Sequence, residues 1–409
     1  MDRLKIDYSL FSYYPRKNRK RNLKKNIFTI CFLILIIGIL CCIKNTNKFS
    51  TQKQTTIQFA SWGSESEISI LKPILSDFEK ENPNIKIDFM HIPQNYFQKI
   101  HLLFASNTAP DVIFMNNQYL PIYANAGVLE DLSPYTNDFE YKKFFPIALK
   151  TLSYKEKIYA IPRDVSTLVV FYNKDIFDKY NIPYPNKNWD INDLLSTAQK
   201  LTHVPQVFGI SFEEEPLFYL PYLNYFGVKN LAKNTTQMQD GLNFYANLRT
   251  KYHVAPQKEE SASATMAQMF LQEKLGMQIS GRWLVPKYRQ EAKFRWDIVR
   301  FPDNNGLHTS PVDASGWAIS KSSKHKQEAI KLVKYLSSKE NSEKFTQSGL
   351  IVPARIDVAN SKAFLDNKSP QNSKEFLEIL NNATPTPVTL NFKEVTDNIK
   401  TQNERLFNK

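Results

Sequence analysis

Cysteine is nearly missing from this 409-residue chain. The three present, Cys31, Cys41 and Cys42, all precede residue 44. The long body from Lys44 onward has none, which excludes disulfides, thiol catalysis and cysteine-held metals there. Histidine is sparse too. The six (His91, His101, His203, His253, His308, His325) show no H-x-x-x-H or similar metal spacing. No Gly-rich phosphate loop and no G-x-S-x-G nucleophile elbow occurs, so neither an ATPase nor a serine hydrolase is written here. The reading is of a protein that is not an enzyme and has no cofactor and no metal. Basic runs are absent from the body as well. The chain carries +13, but residues 1–26 hold nine Lys/Arg against Asp2 and Asp7, so +7 belongs to that leader and only +6 to the rest. Nucleic acid is therefore a poor partner for the body.

The leader has its own logic. After the basic residues 1–26 comes an apolar run of 17 residues, 27–43. A basic segment before an apolar run is an export signal or a start-transfer anchor, basic side in the cytoplasm. As a helix the run spans about 26 Å, slightly short of a hydrocarbon core of roughly 30 Å. It reads either as an uncleaved spanning helix or as the signal of a lipoprotein modified on Cys41 or Cys42. A small residue is wanted before the modified cysteine; Leu40 precedes Cys41, and Cys41 itself precedes Cys42. Residues 44–54, rich in Ser, Thr, Asn, Gln and Lys, form a flexible spacer. Localisation is thus extracytoplasmic, tethered to the cell membrane. About 355 residues remain, enough for two domains of ordinary size.

The body opens with TTIQFASWGSESE, residues 55–67. Residues 55–61 have the β-branched and aromatic content of a strand. Ser64 and Glu67 then make an S-x-x-E capping box for an amphipathic helix over 68–81. A strand that empties into a helix N-terminus leaves a loop and free N–H groups at its carboxyl end, where ligands bind in open α/β sheets. Trp62 and Glu65 sit at that turn. Further strands are expected over 85–89, 112–115, 157–161, 168–173, 208–211, 275–280, 296–300 and 316–319, with helices between most of them. This β-α-β-α order predicts an α/β protein with mostly parallel sheets flanked by helices. Pro162-Arg163-Asp164, between two strands, is expected to be a crossing between lobes. Ala-Pro-Asp111 precedes the strand over 112–115.

Five stretches in this order resemble the extracellular solute-binding proteins of ABC importers, the family that includes maltodextrin and other sugar-binding proteins. They are FASWGSESE; TAPDVIFMNNQYLPIYANAGVLEDLSPY; IYAIPRD with LVVFYNKDIFDKYNIPYPNKNWDINDL; MAQMFLQEKLGMQISGRWLV; and SGWAISKSSKHKQEAIKLVKYLSSKENSEKFTQSGLIVPAR. The resemblance covers most of residues 55–359. It implies a two-lobed periplasmic-binding-protein clamshell (type 2) that closes on a solute. Lobe 1 would be 55–160 plus 307–354, and lobe 2 would be 161–306 plus 355–409.

A sugar has hydroxyl edges and C–H faces, so its cleft needs aromatic planes and planar polar side chains. Beside Trp62 and Glu65, the resemblance implies contacts from Asn116, Gln118 and Tyr119, from Glu215 of the Glu-Pro step, and from Trp283 as the stacking tryptophan. Arg163 and Asp164 at the crossing, Arg282 next to Trp283, Asp313 and Trp317 on the return to lobe 1, and Arg355 near the last crossing complete the candidates. Where a maltodextrin binder of the family has an acid and an arginine, this chain has Gln118 and Tyr119, which speaks against a maltodextrin specifically. Trp189, Trp296, Tyr219 and Tyr222 read as packing. The expected partners are a small-molecule solute (a carbohydrate or similar polyol), ABC permease subunits, and the membrane through the leader. The alternatives are a membrane-anchored sensor or scaffold with the same fold, or a binder of a phosphorylated polyol or an oligopeptide.

Overall fold

The computed structural model describes residues 54–408, together with Phe32 and Ile36 of the leader, both helical. The rest of the apolar run at 27–43, the lipidation candidates Cys41 and Cys42, and most of the spacer lie outside the described residues. Among those described, no helix is long and apolar enough to cross a membrane. Thr55–Lys409 is a compact unit of its own.

The opening follows its sequence signals closely. Strand β1 (Thr55–Ser61) leads into helix α1 (Glu65–Glu81). The capping box forms: the Glu67 amide donates to Ser64 Oγ at 3.3 Å, and the Ser64 amide donates to Glu67 Oε2 at 3.1 Å. Because those bonds satisfy the first turn, the helix starts at Glu65 rather than at residue 68. Ile68, Leu71, Ile74, Leu75 and Phe78 recur at helical spacing and are buried. Each contributes roughly 1.5–3 kcal/mol of hydrophobic stabilisation. Strand β2 (Ile85–His91), helix α2 (Tyr96–Ala105) and strand β3 (Val112–Asn116) complete a parallel unit in which β1 pairs with both β2 and β3. Asp111 accepts from the Gln58 amide and the Ser323 hydroxyl, a structural post at the far end of β3.

The next strands correct one expectation. Pro162-Arg163-Asp164 is not a connection but the body of strand β4 (Ile161–Ser166). A proline tolerates this position because its partner strand breaks register there. Pro162 faces Gly316, and the pairing slips between Ser315 and Gly316. Gly316 is required by the close approach: a Cβ there would lie 2.0 Å from the Ile161 carbonyl oxygen.

Strand β5 (Val169–Asn173), helix α3 (Ile191–Leu201), strand β6 (Phe208–Ile210), helices α4 (Pro216–Tyr225), α5 (Thr236–Thr250) and α6 (Met266–Leu271), and strands β7 (Leu275–Ser280) and β8 (Trp296–Arg300) follow. The chain ends with strand β9 (Asp313–Ile319), helices α7 (Lys326–Leu336) and α8 (Lys339–Gln347), the short strand β10 (Val352–Pro353) and helix α9 (Phe392–Phe407).

The strands form two main sheets, ordered β10-β4-β9-β3-β1-β2 and β8-β5-β7-β6. Both are mixed. In the first, β1, β2, β3 and β4 run one way, while β9 and β10 run against them. In the second, only β5 opposes the others. Period-two alternation sends Val169 and Phe171 into one hydrophobic core and Val170 and Tyr172 into the other. Trp189, Trp296, Tyr219 and Tyr222 are all buried, as packing residues should be.

Because β4 belongs to the first sheet and β5 to the second, the chain passes between the sheets at Thr167-Leu168. Ser310 Oγ meets Thr167 Oγ1 at 2.9 Å and accepts from the Leu168 amide at 3.0 Å. A third segment lies alongside: the Val312 amide donates to the Thr384 carbonyl, and the Thr386 amide to the Val312 carbonyl. Two connections between the sheets, at 167–168 and 310–312, are therefore laced together, with residues 384–386 lying against the second.

Candidate functional site

In the first sheet, the carboxyl ends of β1, β3 and β4 and the amino end of β9 share one edge. Register places Ser315 between Asn116 and Asp164. Trp62 leaves this edge 45% exposed, one side leaning on Phe114 with ring centroids 5.7 Å apart. Gly63 follows at φ +144°, a conformation that side chains disfavour. The His91 ring N–H donates to the Gly63 carbonyl at 2.9 Å and so holds the turn that presents Trp62. Glu65 is exposed in the first turn of α1.

Asp313 gathers the polar loop after β3. Asn117 Nδ2 donates to its Oδ1 at 2.7 Å, and Gln118 Nε2 reaches Oδ2 at 3.5 Å. Burial pushes the Asp313 carboxyl up, and the amide hydrogen bonds hold part of that rise back. Asn116 Oδ1 accepts from the Tyr119 amide at 3.2 Å and shapes the turn. Tyr119 stacks on Phe97 at 3.9 Å and 10°, so one of its faces is already covered.

Several expected contacts are turned inward instead. Trp317 is fully buried in the middle of β9, edge-on to Phe59 at 5.4 Å and Phe114 at 6.0 Å. It is core and not cleft wall, because its register position falls on the packed face of a central strand. Arg163 is buried among Phe114, Trp317 and Phe345, 5.2, 5.7 and 5.4 Å from their ring centres. It pairs with Asp164 at 2.5 Å and with Glu67 at 3.3 Å. Burial works against its charge, but the two carboxylates outweigh burial and raise its pKa. Asp164 is spent on Arg163 and on the Ser315 hydroxyl at 2.8 Å. Arg355 is buried against Phe144, paired with Asp357 at 2.9 Å and Glu140 at 3.4 Å. Arg282 is only 2% exposed. Its Nε donates to the Ile351 carbonyl at 2.9 Å, and its plane lies over Phe364 at 4.2 Å. Burial, then the nearby Arg289, pushes its pKa down to about 9. Arg163 and Trp317 pack together behind the first sheet's edge, while Arg282 and Arg355 are spent on separate structural contacts.

The second sheet has a matching edge at the carboxyl ends of the parallel pair β6 and β7, where the Ile279 amide donates to Ser211 Oγ at 3.0 Å. Trp283 follows β7 and is 36% exposed. Its ring lies directly over Gly281, so that a Cβ on residue 281 would come within 1.9 Å of Trp283 Cζ3. After β6 opens a cavity of about 580 Å³, lined among others by Phe212, Glu213, Glu215, Thr265, Gln268 and Lys400. Glu215 stands at the N-cap of α4 and pairs with Lys400 of α9. Glu214 pairs with the buried Arg249 at 2.9 Å. Glu213 is pushed up to about 7, first by burial and then by the charge of Glu215. Sequence reasoning missed His91, Asn117, Glu213, Thr265 and Gln268. The only available signals were the acid triplet 213–215 and the T-x-x-Q box at 265–268.

Two mixed α/β sheets, joined by connections that lace together and each with an exposed tryptophan at one edge, form a two-lobed clamshell. An ABC substrate-binding protein from Listeria monocytogenes, solved in complex with cycloalternan, shares this fold with TM-score 0.77 and 26% identity, over 87% of this chain and 94% of that one. The family model for bacterial extracellular solute-binding proteins matches residues 62–343, and the chain belongs to that family. It is thus an extracytoplasmic solute-binding protein of the kind that serves ABC importers. The maltodextrin-binding protein of Bacillus subtilis is 26% identical over 89% of this chain and 88% of its own length. The galactooligosaccharide-binding protein of the same organism is 21% identical over 93% and 89%.

Proposed function

We propose that the chain captures a carbohydrate or similar polyol outside the cell and hands it unchanged to an ABC permease by closing its lobes. The observation that carries this is the pair Trp62 and Trp283: two exposed indoles at the edges of two different sheets. An apolar sugar face stacks on such planes while its hydroxyls bond the polar rim. The names of the relatives, a maltodextrin binder and a galactooligosaccharide binder, support a sugar. Trp62, Glu65, Gln118, Tyr119, with Asn116 and Asp313 beneath them, would form the wall of lobe 1. Trp283 and Glu215 would form that of lobe 2.

The lobe boundary fits best at Thr167-Leu168, with residues 310–312 and the stretch between β10 and Phe364 as the other crossings. Solute bridging both lobes would favour the closed member of a pre-existing pair of states, which the permease reads. The leader would hold the protein at the membrane through a lipid on Cys41 or Cys42 or as an uncleaved helix.

A thermal-shift screen of residues 44–409, which contain the whole compact unit, tests the reading. A sugar at 100 times its dissociation constant should add about 2.7 kcal/mol of stability. The response should weaken in Trp283→Ala. Silence across mono-, di- and oligosaccharides would sink the sugar assignment.

A further inference from the structure

The cavity after β6 carries a charge imbalance that a neutral sugar does not need. Its charged lining comprises Glu213, Glu214, Glu215, Arg249 and Lys400, three carboxylates against two cations. The cations are committed. Arg249 is 2% exposed and is used up by Glu214 at 2.9 Å and by the Pro256 carbonyl at 2.9 Å. Lys400 is bound to Glu215. These pairs draw Glu214 and Glu215 to opposite partners, so the three acids do not converge on one point as ligands of a metal ion would. Among the described residues, Glu213 is the carboxylate left without a cation. Its backbone is pinned on both sides, its amide donating to Tyr245 Oη at 2.9 Å and its carbonyl accepting from it at 2.7 Å. The side chain is thus held on a fixed stem at the cavity wall. The remaining lining is uncharged: residues 261–264, the apolar Phe212 and Met266, and Thr265 with Gln268, which bond each other through Gln268 Oε1 in the capping box of α6 and keep the Gln268 Nε2 hydrogens for a solute.

The cavity also opens at the same sheet edge as Trp283, since β6 and β7 are parallel neighbours. We infer that this pocket selects an amine-bearing sugar, its ammonium group on the Glu213 carboxylate and its ring hydroxyls on the Thr265 and Gln268 side. This deepens the proposed function and rests on that reading. The physical reason is that an unpaired, half-buried carboxylate gains most from a partner that carries its own positive charge and several N–H donors. Burial and the repulsion from Glu215, which together oppose ionisation of Glu213, are the costs that such a partner offsets. The same surplus of negative charge disfavours a phosphorylated polyol.

The test is isothermal titration of the full chain in detergent micelles at pH 7, with a glucosamine trimer, its fully N-acetylated counterpart and a neutral maltooligosaccharide. N-acetylation keeps the pyranose ring and removes the charge. The amine form is expected to bind at least tenfold more tightly than the acetylated form, and the ratio is expected to fall within threefold in Glu213→Gln. Equal affinity of the two forms for the wild-type chain overturns the inference and leaves the sugar reading standing, whether or not the variant folds. A preference that persists in Glu213→Gln also overturns it. If none of the three binds, this inference falls, while the sugar reading is decided by the wider thermal-shift screen.

Discussion

Replacing Gly281 by alanine separates the binding role of Trp283 from any role in folding. The backbone at residue 281 is extended, with φ −103°, so alanine brings no strain of its own. What it brings is one carbon placed 1.9, 2.3 and 2.4 Å from three atoms of the Trp283 six-membered ring. Carbon atoms rest at about 3.5–4.0 Å, so the indole must swing aside by roughly 1.6 Å or more. It has somewhere to go, because Trp283 is 36% exposed. The expected loss of fold stability is therefore small, about 1 kcal/mol or less. The loss in binding is larger. An aromatic stack contributes about 0.5–1.5 kcal/mol beyond the area it buries, so affinity should fall by about tenfold once both terms are counted. Titration calorimetry reads the affinity, calorimetric melting reads the stability, and the tryptophan emission spectrum reports the moved ring. Unchanged sugar affinity in Gly281→Ala, with the emission spectrum shifted, would refute the stacking role. A fall in affinity that merely follows a collapse in melting temperature would refute the reasoning about where the strain goes.

Three further outcomes follow from the same geometry. Arg163→Met should destabilise by about 3–5 kcal/mol, since it leaves Asp164 and Glu67 behind without their cation in a buried site; chemical denaturation measures this, and a change under 1 kcal/mol would show the pair to be solvated. Glu213 has a folded pKa raised from about 4.5 to about 7, so the folded state holds the proton more tightly and the chain loses stability as pH rises through that window. Glu213→Gln should then melt higher than the wild type at pH 8, by a difference that shrinks toward pH 5; parallel melting curves at both pH values would contradict it. Labelled palmitate fed to expressing cells should enter the wild-type chain and be lost on joint replacement of Cys41 and Cys42 if the leader is a lipoprotein signal, whereas an unlabelled chain of full mass would favour the uncleaved helix.

Local features were legible in the sequence wherever short-range chemistry decides them. The capping box at Ser64 and Glu67, the strand ends at Ser61 and Ser280, and the helix over 191–201 appear where periodicity and cap residues put them. The exposed positions of Trp62 and Trp283 follow from the same logic, since a residue just past a strand's carboxyl end has left the packed sheet.

Residues decided by long-range pairing were not legible. Arg163 and Asp164 read as a polar interlude between strands. They are buried because β9, some 150 residues later, lies against β4 and breaks register at Pro162. Trp317 could face either side of β9, and only the packing of that strand between β3 and β4 turns it into the core. Arg282, next to an exposed tryptophan, looked accessible until the 351 and 364 segments closed over it.

The chain by itself therefore determined the family, the elements and the two indoles, because composition, period and caps act within a few residues. Tertiary structure alone decided which charges are spent inside and which remain for a solute. That choice depends on partners far apart in sequence: Arg249 on Glu214, Lys400 on Glu215, and, among the described residues, no cation on Glu213.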